Sequence, residues 1–377
     1  MKKLVTLITI ITLIGTIFSG CSGNGANQSK NTTIKIGLAA PISGAEAQYG
    51  EAFKKGAELA VQQLNDSGGI DGKKIEIVTL DDKGDSNEAV NVANKFASDN
   101  SIVGIIGHFN SSATLAAAPI YNKNKVVTVS PSSSSPNVTD AGDYIFRVIT
   151  TDAFQADYLA KWSKEEGHNK VAIIYEQTDF GLGLSDVYSK AAKENNIEIV
   201  ANETYVAGQT KDFSTIVTKI KGKQPDAIFI GGVANDAALV IQQAKKLGVT
   251  SQFIGVDSLY SDALIQLGGS AVEDVKLVGF FHPGGTNEQA NDFLAAYENA
   301  YNKKPDTYAA YAYDATSVLI EAIKQNGADR EDIKKYLSTL QNFKGATGTI
   351  SFDENGDVLT EPQKLIVSEG QFLTYNK

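Results

Sequence analysis

The chain of 377 residues holds one cysteine, one methionine and one tryptophan. A lone thiol, Cys21, can close no disulfide within the chain, so stability has to come from packing. Arginine occurs only at Arg147 and Arg330, which leaves no arginine cluster to grip phosphate. The three histidines, His108, His168 and His282, are scattered, and no pair stands at ligand spacing; no metal site is expected. A formal charge of −10 argues against nucleic acid or anionic lipid as a partner and favours solubility. Signs of catalysis are also missing. Gly181-Leu182-Gly183-Leu184-Ser185 is no nucleophile elbow, and the Gly181/Gly183 pair lacks the third glycine of a dinucleotide loop. His108 lies three residues before Ser111 without an evident orienting acid, and there is no Walker lysine. No cofactor and no enzymatic activity are expected. Asp353, Asn355 and Asp357 alternate like calcium ligands but lack the glycine and terminal glutamate of such a loop, and a plain turn is the simpler reading.

What is present begins with a leader. Lys2 and Lys3 precede an apolar stretch from Leu4 to Phe18, and Ser19-Gly20 supplies small residues directly before Cys21. The stretch is short for a membrane span, which needs roughly 20 apolar residues. The pattern resembles a lipobox, although Phe18 stands where leucine is usual. It implies a lipoprotein signal peptide over 1–20 and a diacylglyceryl group on Cys21; an ordinary secretory leader with an incidental cysteine is the alternative. Two acyl chains anchor firmly where one is marginal. The location expected is the outer face of a cell membrane. Residues 21–32 read as a polar flexible tether, and nothing later is long and apolar enough to span a bilayer.

Beyond the tether, short β-branched runs alternate with longer amphipathic stretches. Runs over 34–39, 75–81, 102–106, 126–129, 171–175, 227–230, 253–256 and 277–280 are mostly apolar on both faces, as in parallel strands covered on both sides. Helical periodicity separates them, beginning with Phe53, Ala57, Ala60, Val61 and Leu64. The order predicts a doubly wound α/β architecture, and the length suggests two domains. Asn355-Gly356 between 349–352 and 364–367 reads as a turn joining two strands.

Ligands of open α/β sheets settle beyond the carboxyl ends of strands, so the residues after each strand are the candidates. After 102–106 comes Gly107-His108-Phe109-Asn110-Ser111-Ser112 and then a helix. Ser111 could offer a hydroxyl beside free backbone N–H groups to an anion, or merely cap its own helix, the simpler role on sequence alone. After 126–129 comes Ser130-Pro131-Ser132-Ser133-Ser134-Ser135-Pro136, either a solvated linker or a rigid hydroxyl-rich loop. Phe180, Val233 and Asp257 follow three later strands. Asp257 could cap a helix or face the serines as an acid. An anion site on one half and a carboxylate on the other would suit a zwitterion, and so a free amino acid.

The segments IKIGLAAPISGAEAQYG, QQLNDSGGIDGKKIEIVTLDD, VGIIGHFNSSAT, VVTVSPSSSSP, AIIYEQTDFGLG and KDFSTIVTKIK, in that order, resemble the solute-binding proteins of branched-chain amino acid ABC importers. The resemblance covers about Ile34 to Ile366. It implies a type I periplasmic-binding-protein fold: two Rossmann-like lobes, 33–150 plus 281–360 and 151–280 plus 361–377, joined by a three-strand hinge. It also implies an amino acid ligand, an ABC permease as partner and a monomeric state. Carried over by position, Ser111 and Ser134 would hold the ligand carboxylate. The Ser132 carbonyl, the Ser134 hydroxyl and Asp257 would receive its ammonium. Tyr49 and Phe180 occupy aromatic positions, and Val233 replaces a tyrosine. Asp257 is one carbon shorter than the glutamate often found there. Other ligands, such as another amino acid or an amide, and a sensory rather than a transport role, remain open at this stage.

Overall fold

The β-branched runs form parallel strands, as their two-sided apolarity requires. The computed structural model describes residues 33–282, 287–358, 360 and 362–376; the expected leader, Cys21 and the tether lie outside these residues. Strands β1 (Ile34–Ala40), β2 (Ile75–Asp81), β3 (Ile102–Ile106), β4 (Val127–Ser130) and β5 (Ile145–Arg147) make a five-stranded sheet in the order β2-β1-β3-β4-β5. All of its pairings are parallel, with Ile36 opposite Ile77 and Ile105 opposite Thr128. Helices α1 (Ala47–Asp66), α2 (Ser86–Ser98) and α3 (Ser111–Lys123) provide the crossovers.

The chain then repeats the scheme. After α4 (Asp152–Glu165) come β6 (Lys170–Glu176), α5 (Asp179–Glu194), β7 (Glu198–Tyr205), α6 (Ser214–Lys221), β8 (Ala227–Gly231), α7 (Ala234–Lys246), β9 (Gln252–Gly255), α8 (Asp262–Gly268) and β10 (Lys276–Gly279). Next follow α9 (Glu288–Tyr301), α10 (Thr307–Asn326) and α11 (Arg330–Leu337), then a small antiparallel pair, β11 (Phe343–Gly345) with β12 (Gly348–Ile350). Finally β13 (Gln363–Ser368) and β14 (Gln371–Thr374) add antiparallel to β10, completing a second sheet in the order β14-β13-β10-β9-β8-β6-β7. Leaving aside β13 and β14, each sheet has its second-formed strand outside its first. The order therefore reverses once in each sheet, between β1 and β3 and between β6 and β8. Those reversals open the crevices where ligands of such sheets bind.

Each sheet is apolar on both faces. The first carries the α2–α3 side, with Phe96, Ile105 and Tyr121, and the side facing α1 and α10, with Ile36, Phe53 and Leu319. The second is covered by α4 and α5 on one side and by α6, α7 and α8 on the other. Helix α10, although it follows the second set of strands, packs along α1 beside the first sheet. Gly56 allows this contact: a Cβ there would lie 2.1 Å from the Ala309 carbonyl oxygen.

Two sequence expectations change. The strands expected at 349–352 and 364–367 do not pair with each other. β12 turns back on β11, and β13 joins β10 and β14. Between them Asp353 closes a turn, accepting the backbone N–H groups of Asn355 and Asp357 at 2.9 Å each, with one isolated bridge from Phe352 to Val358. Elements α5, β7, α6, α8, α11, β11 and β14 are likewise absent from the sequence expectations. In α5, Gly181 and Gly183 obscure the helical pattern. Gly181 is required there, since a Cβ would stand 2.1 Å from the Glu176 carbonyl oxygen at the end of β6. Strand β7 is an edge strand, and its polar sequence reflects its partial exposure.

Candidate functional site

The residues after β3, β4, β6, β8 and β9 converge on one small cavity. Phe109, Asn110, Ser111, Ser132, Ser134, Ile149, Phe180, Val233, Asp257, Ser258 and Tyr308 line it. Of the seven ligand positions expected from sequence, six are in this lining. The seventh, Tyr49, contributes no atom to it. Tyr49 lies buried behind the wall, stacked on Phe109 with ring centroids 4.7 Å apart and edge-on to Tyr308 at 5.0 Å. Its aromatic body sets the position of Phe109, which is the residue exposed to the cavity.

The first wall resolves both ambiguities left by the sequence. Ser111 does not cap its helix: Asn110 is the N-cap, and the Ser111 hydroxyl accepts the Ser135 N–H at 3.2 Å. Asn110 spends its amide on Glu46 (2.8 Å) and on the Gly84 carbonyl (3.1 Å). Ser111 thus stands in the first turn of a 13-residue helix, where backbone N–H groups lack intrahelical partners and negative charge is favoured.

The serine loop is no solvated linker either. Ser133, Ser134 and Ser135 are buried, and the Ser132 hydroxyl donates to the Phe109 carbonyl at 2.7 Å. Ser130 and Ser133 donate to the His108 carbonyl at 3.1 and 3.2 Å. Beneath the loop the buried Arg147 donates to the Ser133 and Ser135 carbonyls at 3.1 and 2.7 Å and pairs with Asp357 at 2.5 Å. Arg147 is therefore a staple for the loop, with its donors committed away from the cavity.

The opposite wall carries the acid. Asp257, 3% exposed, begins a short 3₁₀ turn directly after β9. Its Oδ2 accepts the Tyr311 hydroxyl of α10 at 3.1 Å, and its N–H donates to Gln155 Oε1 of α4 at 3.3 Å. Burial pushes its carboxyl up to about 6, against the lowering pull of Gln155 and Tyr311. A buried carboxylate with this little compensation favours a cation beside it. Ser258 donates to the Gly232 carbonyl at 2.8 Å and fixes the turn against β8. Phe109, Ile149, Phe180, Val233 and Tyr308 supply the apolar remainder of the lining.

A model of the periplasmic binding protein family matches residues 33–366. The chain belongs to that family. Among its relatives, the Leu/Ile/Val-binding protein homolog 1 of Brucella abortus is 33% identical over 327 residues, covering 86% of this chain and 87% of the relative. A crystal structure of a leucine binding protein from Thermotoga maritima superposes with a TM-score of 0.86 at 31% identity, covering 91% of this chain and 98% of that one. The branched-chain amino acid transporter substrate binding protein LivJ of Streptococcus pneumoniae, in complex with isoleucine, gives 0.85 at 32% identity, covering 90% and 97%. The two-sheet architecture of this binding protein is thus the type I fold expected from sequence.

The sequence reading missed several cavity residues. Phe109 and Asn110 were legible in principle, since they follow β3 in the same segment as Ser111. Ser258 adjoins Asp257, and Ile149 carries no chemical flag. Tyr308, and Tyr311 that donates to Asp257, were beyond reach, because they arrive on α10, a helix that returns to the first sheet from more than 150 residues away.

Proposed function

We propose that this extracytoplasmic binding protein captures a small aliphatic L-amino acid, above all a branched-chain one, and delivers it to an ABC permease. The observation that carries this reading is one cavity with buried hydroxyls and a helix start on one wall, a buried carboxyl on the other, and apolar side chains between. The ligand carboxylate is assigned to Ser111 and Ser134. The ammonium is assigned to Asp257, the Ser132 carbonyl and the Ser134 hydroxyl. Its side chain lies against Phe180 and Val233. Charged hydrogen bonds of this kind contribute about 1.5–3 kcal/mol each. Apolar burial at about 0.8 kcal/mol per methylene favours leucine over alanine by roughly 2–3 kcal/mol.

The working bodies in this reading are the lobes 33–150 plus 281–360 and 151–280 plus 361–377. Strands of the first sheet all precede residue 148, and those of the second fall at 170–279 and 363–374, which supports the division. Because the ligand touches both walls only when the lobes are closed, it stabilises that state. The Gln48 amide donating to Asn235 at 2.9 Å, from α1 to α7, would add to the closed form. A lipid on Cys21 keeps the monomer near its permease, and the chain turns over no substrate. Calorimetric titration with each of the common L-amino acids tests the assignment. Leucine, isoleucine or valine should bind tightest with no product formed, and an absence of heat with every amino acid would overturn it.

A further inference from the structure

The acid of the second wall is held from the first sheet as well as from its own. Asp257 follows β9, its N–H is tied to Gln155 of α4, and its neighbour Ser258 is tied to the Gly232 carbonyl after β8, so its backbone belongs to the second sheet. Its Oδ2, however, accepts the hydroxyl of Tyr311 at 3.1 Å, and Tyr311 stands on α10, which packs along α1 beside the first sheet. Three residues earlier on the same face of α10, the Tyr308 hydroxyl reaches the Ser258 carbonyl at 3.5 Å, while the Tyr308 ring packs edge-on to Phe109 and Tyr49. Three residues later, the buried Asp314 accepts the N–H groups of Ala346 and Thr347 at 2.8 Å each and the Thr347 hydroxyl at 2.6 Å. That fixes this stretch of α10 to the turn between β11 and β12. Both ends of the Tyr311–Asp257 bond are thus anchored, each beside a different sheet. Both residues are buried, so water does not compete for the bond, and a donor to a carboxylate contributes more than a neutral pair. An ionised carboxylate accepts several hydrogen bonds, so Tyr311 leaves room on Asp257 for an ammonium. With its partners fixed in this way, the bond holds only while the two sheets keep their present approach.

We propose that Tyr311 is a positioning residue for closure: its hydroxyl brings the first lobe onto the same carboxylate that meets the ligand ammonium, in a bond made on closing and broken on opening. The inference rests on the zwitterion reading and on the lobes given above. Tyr311 need not touch the ligand. It orients Asp257 and stabilises the closed state at one point, and so lengthens the stay of a captured amino acid. Because the bond acts at the ammonium end and not at the side-chain wall, its contribution is the same for every amino acid the cavity accepts.

Calorimetric titration and stopped-flow kinetics of the full chain compare wild type with Tyr311→Phe, which removes one oxygen and keeps the ring. Affinity for leucine should fall about tenfold or more, through faster dissociation with association nearly unchanged. Alanine should lose by the same factor, whereas a distorted side-chain pocket would penalise leucine more. In an Asp257→Ala background, Tyr311→Phe should cost less than about twofold further, because the hydroxyl has lost its acceptor. Unchanged affinity, a loss confined to leucine, or losses that simply add in the double variant overturn the proposal while leaving amino acid binding intact. Absence of heat with every amino acid overturns both readings. Should Tyr311→Phe fail to fold, a crystal structure of the wild-type protein with leucine decides the matter. Tyr311 should donate to Asp257 while that carboxylate meets the ammonium, and a Tyr311 hydroxyl turned elsewhere would also overturn the proposal.

Discussion

The two walls of the cavity solve opposite electrostatic problems. The wall from the first sheet has no net charge at its surface. It presents hydroxyls and the start of α3, held by a buried loop that Arg147 braces from beneath. The wall from the second sheet exposes an ionisable acid, Asp257, in a site where burial opposes its charge. Dipoles are cheap to bury once their hydrogen bonds are made, whereas a carboxylate stays costly until a cation meets it. The first wall is therefore organised in advance, and the second gains most when ligand arrives.

Substitutions can break or sharpen that contrast. The largest effect is expected at Arg147→Met, which leaves Asp357 and two loop carbonyls without their donor. Breaking a buried pair in this way costs about 3–5 kcal/mol, so denaturant unfolding should shift strongly, and an unchanged midpoint would mean the loop needs no staple. Asp257→Ala comes next. Leucine affinity should fall by at least about tenfold by calorimetry, with thermal unfolding little changed, because the variant removes the proposed charged partner of the ligand and a costly buried acid together. Phe180→Ala should weaken leucine more than alanine, since only the longer ligand loses apolar contact, and equal losses would place Phe180 away from the side chain. Ser111→Ala should cost least, about 0.5–1.5 kcal/mol of binding, because the N–H groups at the start of α3 remain. A loss at Ser111 as large as that at Asp257 would remove the contrast between the walls.

Much of this was legible in the residues. Two-sided apolar runs separated by amphipathic stretches specify parallel strands and crossovers, since that pattern is stable only when both faces of a sheet are covered. The segments after the strand ends do converge, and Ser111, Ser132, Ser134, Phe180, Val233 and Asp257 line one cavity. Tyr49 shows the limit of carrying residues over by position: its ring supports Phe109 from behind, a difference of one layer of side chains that no spacing encodes. The pairing expected between 349–352 and 364–367 failed because a turn signal specifies a reversal of the chain but not which strand waits beyond it.

The local features of the chain thus specified the elements, their order and the polar groups at the strand ends, because periodicity and turn chemistry act over a few residues. Tertiary structure alone decided which groups share a cavity and in what electrical state. Tyr308 and Tyr311 reach the site on a helix that returns to the first sheet, and Ser134 and Asp257 come together from positions over a hundred residues apart. Burial and the approach of distant groups are properties of neighbours in space, and the order of residues along a chain does not contain them.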